Sequence, residues 1–449
     1  MTKVANPPTT NQPAWLDELR RAAAGRFHAD GYPSASSAAT VQEEWRFTNI
    51  APIAKTRFVP AVADSLTEEA ARGYSFGDQD VAAELVFVNG TYSEKLSRLN
   101  HLPSGVIVCS LAEAAQRDAA RLEKHLARYA DIESNAFVAQ NTASLVDGAY
   151  VFVPRGVTVE GVIHLLFVGG AGSESAIIQP RVLVVAEENS EVAIVESYCG
   201  DRDSTGIYFT NAVTEIVSGA DSRIDHNKLQ MESLAAYHVA TMQVELGRNA
   251  KFVSHSSTIG GKLTRNDLNV TLNGQHADAT LNGLVILEGS QHCDNHTLLN
   301  HQQPDCPSHE LYKHVLDGSS SAVFKGKIFV AQIAQKTDSK QTSKTLLLSD
   351  NAQMNSMPAL EIYADDVKCT HGSTTGPVDD DMVFYLRSRG VSHETARRLL
   401  TYAFAADVTR RIKIEPVRAR IENFMAAKHG LPQDLRITDL GDHNDKVAN

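Results

Sequence analysis

The feature that most constrains this chain is a long stretch, from Ala149 to about Gly376, in which no helical period can be found. Short alternating or β-branched runs recur there instead, and Gly, Asn, Asp and Ser residues punctuate them. Val162–Val168 and Asn211–Val217 are two examples. Runs of this kind are typical of β-strands joined by tight turns. The stretch therefore predicts a mainly β fold, either two packed sheets or a solenoid.

A repeat within this stretch favours the solenoid. A polar or Gly residue followed by a small residue precedes successive strand blocks, and the small residues are spaced 30, 30, 27, 45 and 30 apart. A regular return near 30 residues predicts coils stacked along one axis. The longest interval predicts an insertion, a loop from His292 to Asp317 on one face. The pairs are Asn189-Ser190, Gly219-Ala220, Asn249-Ala250, His276-Ala277, Ser321-Ala322 and Asn351-Ala352.

Helical periodicity frames the β stretch on both sides. On the N-terminal side it begins at Trp15 and predicts further helices over Ser110–Ala130 and Asn135–Leu145. On the C-terminal side three helices are predicted, one capped by Ser392 and one opened by Pro416. We therefore expect a disordered arm over residues 1–14, a mostly helical N-terminal domain over 15–148, a solenoid core over 149–376, a helical C-terminal domain over 377–432 and a flexible tail over 433–449.

Composition limits the partners and the compartment. The chain has 42 Lys and Arg against 54 Asp and Glu, a net charge of −12. Nucleic acids and anionic membranes bind cationic surfaces, so we expect neither as a partner. No apolar run is long enough to cross a bilayer, and the first residues carry no apolar signal core, which predicts a cytoplasmic protein. The five cysteines include no CxxC pair, so no disulfide framework is expected.

The best local candidate for chemistry is the motif from Asp365 to Gly372. In a strand, Cys369 and His371 share one face, with Cα atoms about 6.6–7 Å apart. A thiolate and an imidazole so placed can bind one soft metal, or a ligand held jointly with another chain. One Cys and one His do not complete a metal site. Spacing alone therefore favours the alternative, a buried thiol beside a hydrogen-bonded histidine.

A second group of candidates lies in the predicted insertion. Any three of its side chains would suit Zn²⁺ or Fe²⁺ if a loop brought them together. Their spacings match no standard zinc module, and strand alternation puts His292 and Cys293 on opposite faces. A polar loop is the favoured interpretation. The group comprises His292, Cys293, Asp294, Asn295, His296, His301, Cys306, His309 and His314.

The sequence contains no strong enzyme motif. No phosphate loop, GxGxxG or GxSxG occurs, so nothing marks the chain as an ATPase, a dinucleotide enzyme or a serine hydrolase. The acid cluster Asp379-Asp380-Asp381 suits a helix start, where negative charge is favourable. It would also suit calcium in a carbohydrate-cleaving solenoid, but the helix start is the favoured interpretation.

Several linked motifs resemble the SufB/SufD family, and most closely its SufD branch, a subunit of the SUF iron–sulfur cluster assembly system. The resemblance spans most of residues 43–410 and is most specific from Phe324 to Gly390. SufB-like chains usually carry a Cys- and Gly-rich tract before the segment that matches Leu360-Glu361, whereas Thr345–Pro358 contains no Cys. The matching motifs are Glu44-Trp45-Arg46-Phe47-Thr48, Asp294-Asn295-His296-Thr297, Phe324-Lys325-Gly326-Lys327-Ile328, Ala334–Asp338, Leu346–Asp350, Leu360-Glu361-Ile362, Asp365–Gly372 and Phe384–Gly390.

The resemblance implies a fold and a set of partners. The fold is a right-handed parallel β-helix core flanked by N-terminal and C-terminal helical domains. The function is that of a non-catalytic scaffold in a SufBCD complex. The chain would pair with a SufB-like subunit through the end of the β-helix, or with itself as a homodimer. A SufC-like ATPase would bind the C-terminal helices, and a cysteine desulfurase would act indirectly as the sulfur source.

The resemblance also implies a site. His371 would be a metal ligand for a nascent iron–sulfur cluster that is held transiently and shared with the partner subunit, and Cys369 is a weaker candidate beside it. Whether a flavin binds is left open. Two alternatives remain: a SufB-like paralogue, or a β-helix enzyme such as a polysaccharide lyase.

Overall fold

The computed structural model describes residues 13–62, 68–77, 80–172 and 174–429. The predicted disordered arm over residues 1–14 lies outside the described part of the chain except at its last two residues, of which Ala14 begins a helix. The predicted flexible tail over 433–449 lies wholly outside it.

Strands account for most of the regular structure. They lie mainly between residues 149 and 377, and successive strands alternate between two sheets. The strands of the described residues are β1 (Val59–Pro60), β2 (Val81–Val88), β3 (Thr91–Tyr92), β4 (Arg98–Leu99), β5 (Ile107–Ser110), β6 (Ala149–Val153), β7 (Thr158–Val168), β8 (Ala176–Ile178), β9 (Arg181–Ala186), β10 (Glu191–Cys199), β11 (Tyr208–Ser218), β12 (Arg223–Met231), β13 (Tyr237–Leu246), β14 (Lys251–Thr258), β15 (Leu263–Leu272), β16 (Asp278–Leu287), β17 (His292–His301), β18 (Pro307–Leu316), β19 (Ser321–Val330), β20 (Asp338–Leu347), β21 (Gln353–Ser356), β22 (Ala359–Ile362) and β23 (Lys368–Pro377).

Helices flank the strands on both sides in sequence. Those of the described residues are α1 (Ala14–Asp30), α2 (Ala39–Glu44), α3 (Ala51–Lys55), α4 (Glu68–Tyr74), α5 (Leu111–Arg117), α6 (Ala119–His125), α7 (Ala136–Ala143), α8 (Asp380–Arg387), α9 (His393–Thr409) and α10 (Glu415–His429). The predicted single helix over Ser110–Ala130 is two helices, because the backbone leaves helical geometry at Asp118.

The two sheets form a β-solenoid of about eight turns, which confirms the solenoid prediction. Sheet A runs through β6, β9, β11, β13, β15, β17 and β19 to β21 and β22, and sheet B runs through β2, β7, β10, β12, β14, β16, β18 and β20 to β23. Neighbouring strands within these series are parallel, and their register shifts only in the two pairs that β7 makes with β2 and β10. Inward-facing residues of both sheets make one continuous core.

One turn position explains the repeat. Before each sheet-B strand from β10 to β20, a residue with positive φ is followed by a small buried residue. Asn, Asp and His tolerate this left-handed backbone better than bulky residues do. The turn residues are Asn189, Asp221, Asn249, His276, Asp305 and Lys336.

The predicted insertion from His292 to Asp317 is wrong. Its residues form β17 and β18, an ordinary coil with strands in both sheets. The repeat was missed there because Cys306 occupies the small buried position after Asp305. Ser321-Ala322 instead begins the sheet-A strand β19, and Asn351-Ala352 precedes the sheet-A strand β21.

The helices cover the outer faces of the solenoid. Leu111 and Leu122 of the N-terminal helices pack on Tyr150 and Leu183 of sheet A. C-terminal residues including Tyr402 pack on outward side chains of sheet B. The N-terminal region also supplies β2, which lies parallel to β7 as a strand of sheet B. The end of the solenoid at β21, β22 and β23 is therefore the candidate location of a functional site.

Candidate functional site

The last coil ends in strands that have a paired neighbour on one side only within the described residues. In sheet B, β23 pairs with β20, and in sheet A both β21 and β22 pair with β19. We call the surface formed by β21, β22 and β23 the end face. An uncovered strand edge offers backbone N–H and C=O groups to another chain. The end face is therefore suited to contact with a further protein.

Cys369 and His371 lie on β23 and point into the solenoid, toward its open end. Their register partners on β20, Ser339 and Gln341, are buried. Two residues beyond His371, the Ser373 hydroxyl lies 2.9 Å from that of Ser356 across the interior. His371 is nevertheless exposed, because no described strand lies beyond β23. An inward-facing side chain that stays exposed becomes buried if another molecule covers the end face.

Cys369 differs from His371 in its surroundings. Its side chain is half-buried and packs against the solenoid core. Burial raises the pKa of the Cys369 thiol, which disfavours the thiolate that a metal requires. His371 is therefore the better placed of the two predicted ligands in the isolated chain. Neither belongs to a metal site within the described residues, where no three His, Cys, Asp or Glu side chains converge on one point.

The interior beneath the end face is polar. Gln341 Nε2 donates to Glu310 Oε2 at 2.6 Å, and both side chains are buried. The other oxygen of each has no hydrogen-bond partner among the described residues. Burial raises the pKa of Glu310 to about 7, although the nearby polar side chains of Thr297 and Gln341 oppose the rise. An unsatisfied buried acceptor costs about 1–3 kcal/mol, so the last coils bear a cost that an apolar core would avoid.

An exposed apolar surface lies on α8, which directly follows β23. Asp379 caps this helix by accepting bonds from the backbone N–H groups of Asp381 and Met382, which confirms the predicted helix start. Met382, Phe384 and Tyr385 are 54%, 71% and 53% exposed. We call these three residues the α8 patch. Three large apolar side chains on one short helix are typical of a protein contact surface.

The apolar side chains of α9 are only partly inward-facing. Ala396 is buried, but Ala403 is exposed. Tyr402, Ala405 and Val408 are buried on this helix and belong to the cluster on sheet B. This face of α9 is thus occupied by the solenoid.

The candidates from His292 to His314 do not converge. Strand alternation sends Cys293 and Asn295 into the core, while His292, Asp294 and His296 face outward from sheet A. Asp294 is the centre of a network on that outer face. Its carboxylate accepts a bond from the Thr48 hydroxyl at 2.6 Å and one from Arg265 at 2.9 Å.

The same network includes the motif that begins at Glu44. The guanidinium of Arg265 stacks on Trp45, 3.9 Å from the ring centre. Glu44 lies 2.7 Å from Lys325 Nζ and 3.1 Å from His296 Nδ1. Bonds from His296 and Lys325 lower the pKa of Glu44 to about 2 in spite of partial burial. We call Glu44, Trp45, Thr48, Arg265, Asp294, His296 and Lys325 the N-terminal network, because it fixes the segment after α2 to the solenoid.

A groove of about 900 Å³ lies beside the N-terminal network, between the first helices and the outer face of sheet A. Its charged side chains pair with one another. Arg26 contacts Asp30, and Lys327 contacts Glu361 at 2.8 Å. The groove therefore presents little unpaired charge to a ligand, and the end face is the stronger candidate site.

Comparison with known proteins decides the family. The sequence profile described as "SUF system FeS cluster assembly, SufBD core domain" matches residues 167–404, which is more than half of the chain. The profile of the SufBD protein N-terminal region matches residues 7–165. The chain belongs to the SufBD family.

Individual SufBD relatives cover most of the chain. An iron–sulfur cluster assembly SufBD family protein of Synechocystis sp. is 34% identical over 86% of this chain and 86% of its own. The iron–sulfur cluster assembly protein SufD of Escherichia coli is 30% identical over 84% and 86%. The SufD protein of Bacillus subtilis is 26% identical over 93% and 94%. The resemblance inferred from the motifs is confirmed.

Family membership assigns the chain to iron–sulfur cluster assembly. It therefore argues against the alternative of a carbohydrate-active β-helix enzyme. Across the described residues, no helix combines the length and apolar character needed to cross a membrane. Sequence reasoning missed Gln341, Glu310 and the α8 patch. The patch was visible in the motif from Phe384 to Gly390, but the inward direction of Gln341 required the strand register.

Proposed function

We propose that this chain is a non-catalytic scaffold subunit of a SUF complex. It pairs through the end face with a SufB-like subunit, or with a second copy of itself. It binds a SufC-like ATPase through the C-terminal helices. A nascent iron–sulfur cluster forms at the end face as cargo, with His371 as this chain's ligand.

The observation that carries the proposal is the exposure of an inward-facing histidine at an uncovered solenoid end. Imidazole is a borderline ligand that binds iron and leaves when protonated, which suits a site that must release its product. One such ligand is too few to hold a cluster, so the remaining ligands must come from the molecule that covers the end face. The relatives named SufD, in two bacteria, favour the SufD branch over a SufB-like paralogue.

The α8 patch supports the ATPase as the second partner. It lies on the first C-terminal helix and remains exposed although α8 packs on α9. Apolar anchors on a helix are a common way to dock into a groove of a partner protein. The buried face of α9 is unavailable, because it packs on sheet B.

Affinity purification from the native host tests the proposal. The tagged chain should co-purify with a SufB-like subunit, or as a dimer, and with the ATPase. Phe384→Asp should remove the ATPase and keep the pairing subunit. Leu99→Asp, at a residue 57% exposed in the N-terminal region, is the matched control and should keep both. Recovery of the ATPase with Phe384→Asp at the wild-type level would contradict the α8 assignment.

A further inference from the structure

The inference begins at Gly326, in the middle of the motif from Phe324 to Ile328. Gly326 does not have a positive φ, so its backbone conformation would accept other residues. The space around it would not, because a Cβ at this position would lie 2.2 Å from Gln341 Nε2 and 2.6 Å from Gln341 Cδ. Gly326 lies in sheet A and Gln341 in sheet B. The glycine therefore makes room for the Gln341 amide to reach across the solenoid.

The Gln341 amide is oriented by the coil below it. Its Nε2 donates to Glu310 Oε2, and Glu310 is fully buried. In its ionised form the Glu310 carboxylate only accepts, so at pH values above its pKa of about 7 the amide presents its nitrogen to it and keeps its oxygen for another group. That oxygen has no partner among the described residues, although the side chain is only 2% exposed. Gln341 thus offers one fixed, unused acceptor inside the last coil.

The residue in register above Gln341 is His371. Glu310, Gln341 and His371 occupy one ladder position on β18, β20 and β23. Adjacent strands lie about 4.8 Å apart, so the imidazole is the nearest ring N–H donor in the next coil. His371 is exposed and can turn about its side-chain bonds. A rotation is enough to bring one ring nitrogen to the free amide oxygen.

We propose that Gln341 is the positioning residue for His371: its amide oxygen accepts a hydrogen bond from one ring N–H and directs the other ring nitrogen out of the end face. The inference rests on the proposed function, because it matters only if His371 is a ligand. A hydrogen bond to one ring nitrogen fixes the tautomer and leaves the other nitrogen with its lone pair for metal. Gly326, Glu310 and Gln341 then form one support for His371.

The test is histidine NMR on the full chain at pH 8, where the Glu310 carboxyl is mainly ionised because its pKa is about 7. Ring ¹³C and ¹⁵N labels report the tautomer, and the signal that His371→Ala removes identifies His371. In the wild type, one tautomer should predominate. Gln341→Met keeps the length of the side chain but has no strong acceptor, so the His371 nitrogen signals should shift toward those of a free imidazole.

Two further variants complete the test. Gly326→Ala keeps Gln341 but displaces its amide, and it should give the same shift. Ser343→Ala is the matched control, since Ser343 is the next inward residue on β20 and its buried hydroxyl also has no partner among the described residues. It should leave the His371 signals unchanged. Melting curves identify any variant that fails to fold, and Gln341→Met and Gly326→Ala reach the same amide by separate routes.

An unchanged His371 signal in folded Gln341→Met or folded Gly326→Ala protein would overturn the positioning role. So would a shift of the same size in Ser343→Ala. These measurements use the chain without iron or partners. A negative result would therefore contradict the positioning role of Gln341 without contradicting the proposed function. That function would fail if cluster content in the complex did not depend on His371.

Discussion

Glu310 is a carboxyl group in the interior of the solenoid, and its polar contacts among the described residues are with uncharged side chains. Gln341 and Thr297 are its polar neighbours, and no described cation forms a salt bridge with it. Desolvation therefore dominates and raises its pKa to about 7, against an ordinary value of 4.5. An apolar residue here would avoid this desolvation, so the polar ladder below His371 lowers the stability of the folded chain.

Glu310→Gln should stabilise the chain at high pH. In the unfolded chain Glu310 loses its proton near pH 4.5, whereas in the folded chain it keeps the proton to about pH 7. The folded state binds more protons in this window, so wild-type stability falls as pH rises from 4.5 to 7. The variant removes this loss, which amounts to about 3 kcal/mol at pH 8.

Urea unfolding at pH 4 and pH 8 measures the effect. The free energy of unfolding of Glu310→Gln should exceed that of the wild type at pH 8 and differ little at pH 4. Glu191→Gln, at an exposed position on sheet B, should show no such dependence. Equal gains at both pH values would show that the Glu310 charge is not the cause.

The N-terminal network links two motifs that lie about 250 residues apart in the sequence. On the outer face of β17, Thr48 is hydrogen-bonded to Asp294 and Glu44 is hydrogen-bonded to His296. Burial lowers the pKa of His296, but bonds to Asp294 and Glu44 outweigh it and raise the pKa overall. The network therefore favours the protonated form of His296 beside the two carboxylates. We interpret its role as fixing the N-terminal segment to the solenoid.

Arg265→Met should destabilise the chain strongly. Arg265 is 3% exposed and contacts Asp267, Asp294 and the Trp45 ring. Its removal leaves the buried Asp294 carboxylate without a full partner, at a cost of about 3–5 kcal/mol. Arg248→Met, which removes an exposed pair with Asp221, should cost less than about 1 kcal/mol. Urea unfolding of both variants at pH 7 checks the difference, and equal costs would contradict this role.

At the scale of the whole molecule, periodicity predicted the solenoid and its flanking helices correctly. The approximately regular spacing of Asn189, Asn249 and His276 was sufficient to predict the coils, because a turn residue with left-handed backbone conformation recurs once per coil. Sequence could not locate the coil at Asp305, where cysteine fills the position of a small residue. It also could not show that the C-terminal helices pack on sheet B, because that contact depends on outward residues of distant strands.

This packing makes the C-terminal helices part of the fold. Leu229, Leu284 and Ile286 face outward from sheet B and are buried by residues of α9 and α10. A chain that stops after residue 391 exposes them, so we expect it to aggregate or to unfold at a lower temperature than the full chain. A chain that stops after residue 429 keeps α10 and should melt as the full chain does. Light scattering and thermal melting compare the two, and a soluble, equally stable short chain would contradict the packing role.

The most direct test of the scaffold assignment is the cluster content of the assembled complex. The chain is expressed with its SufB-like and ATPase partners as wild type, as His371→Ala and as His309→Ala, the last altering an exposed histidine on β18 away from the end face. We predict intact complexes in all three cases. Bound iron, acid-labile sulfide and visible absorption should fall several-fold in His371→Ala alone. A His371→Ala complex with wild-type iron and sulfide would contradict the account, and His371 would then be only an exposed histidine at a strand end.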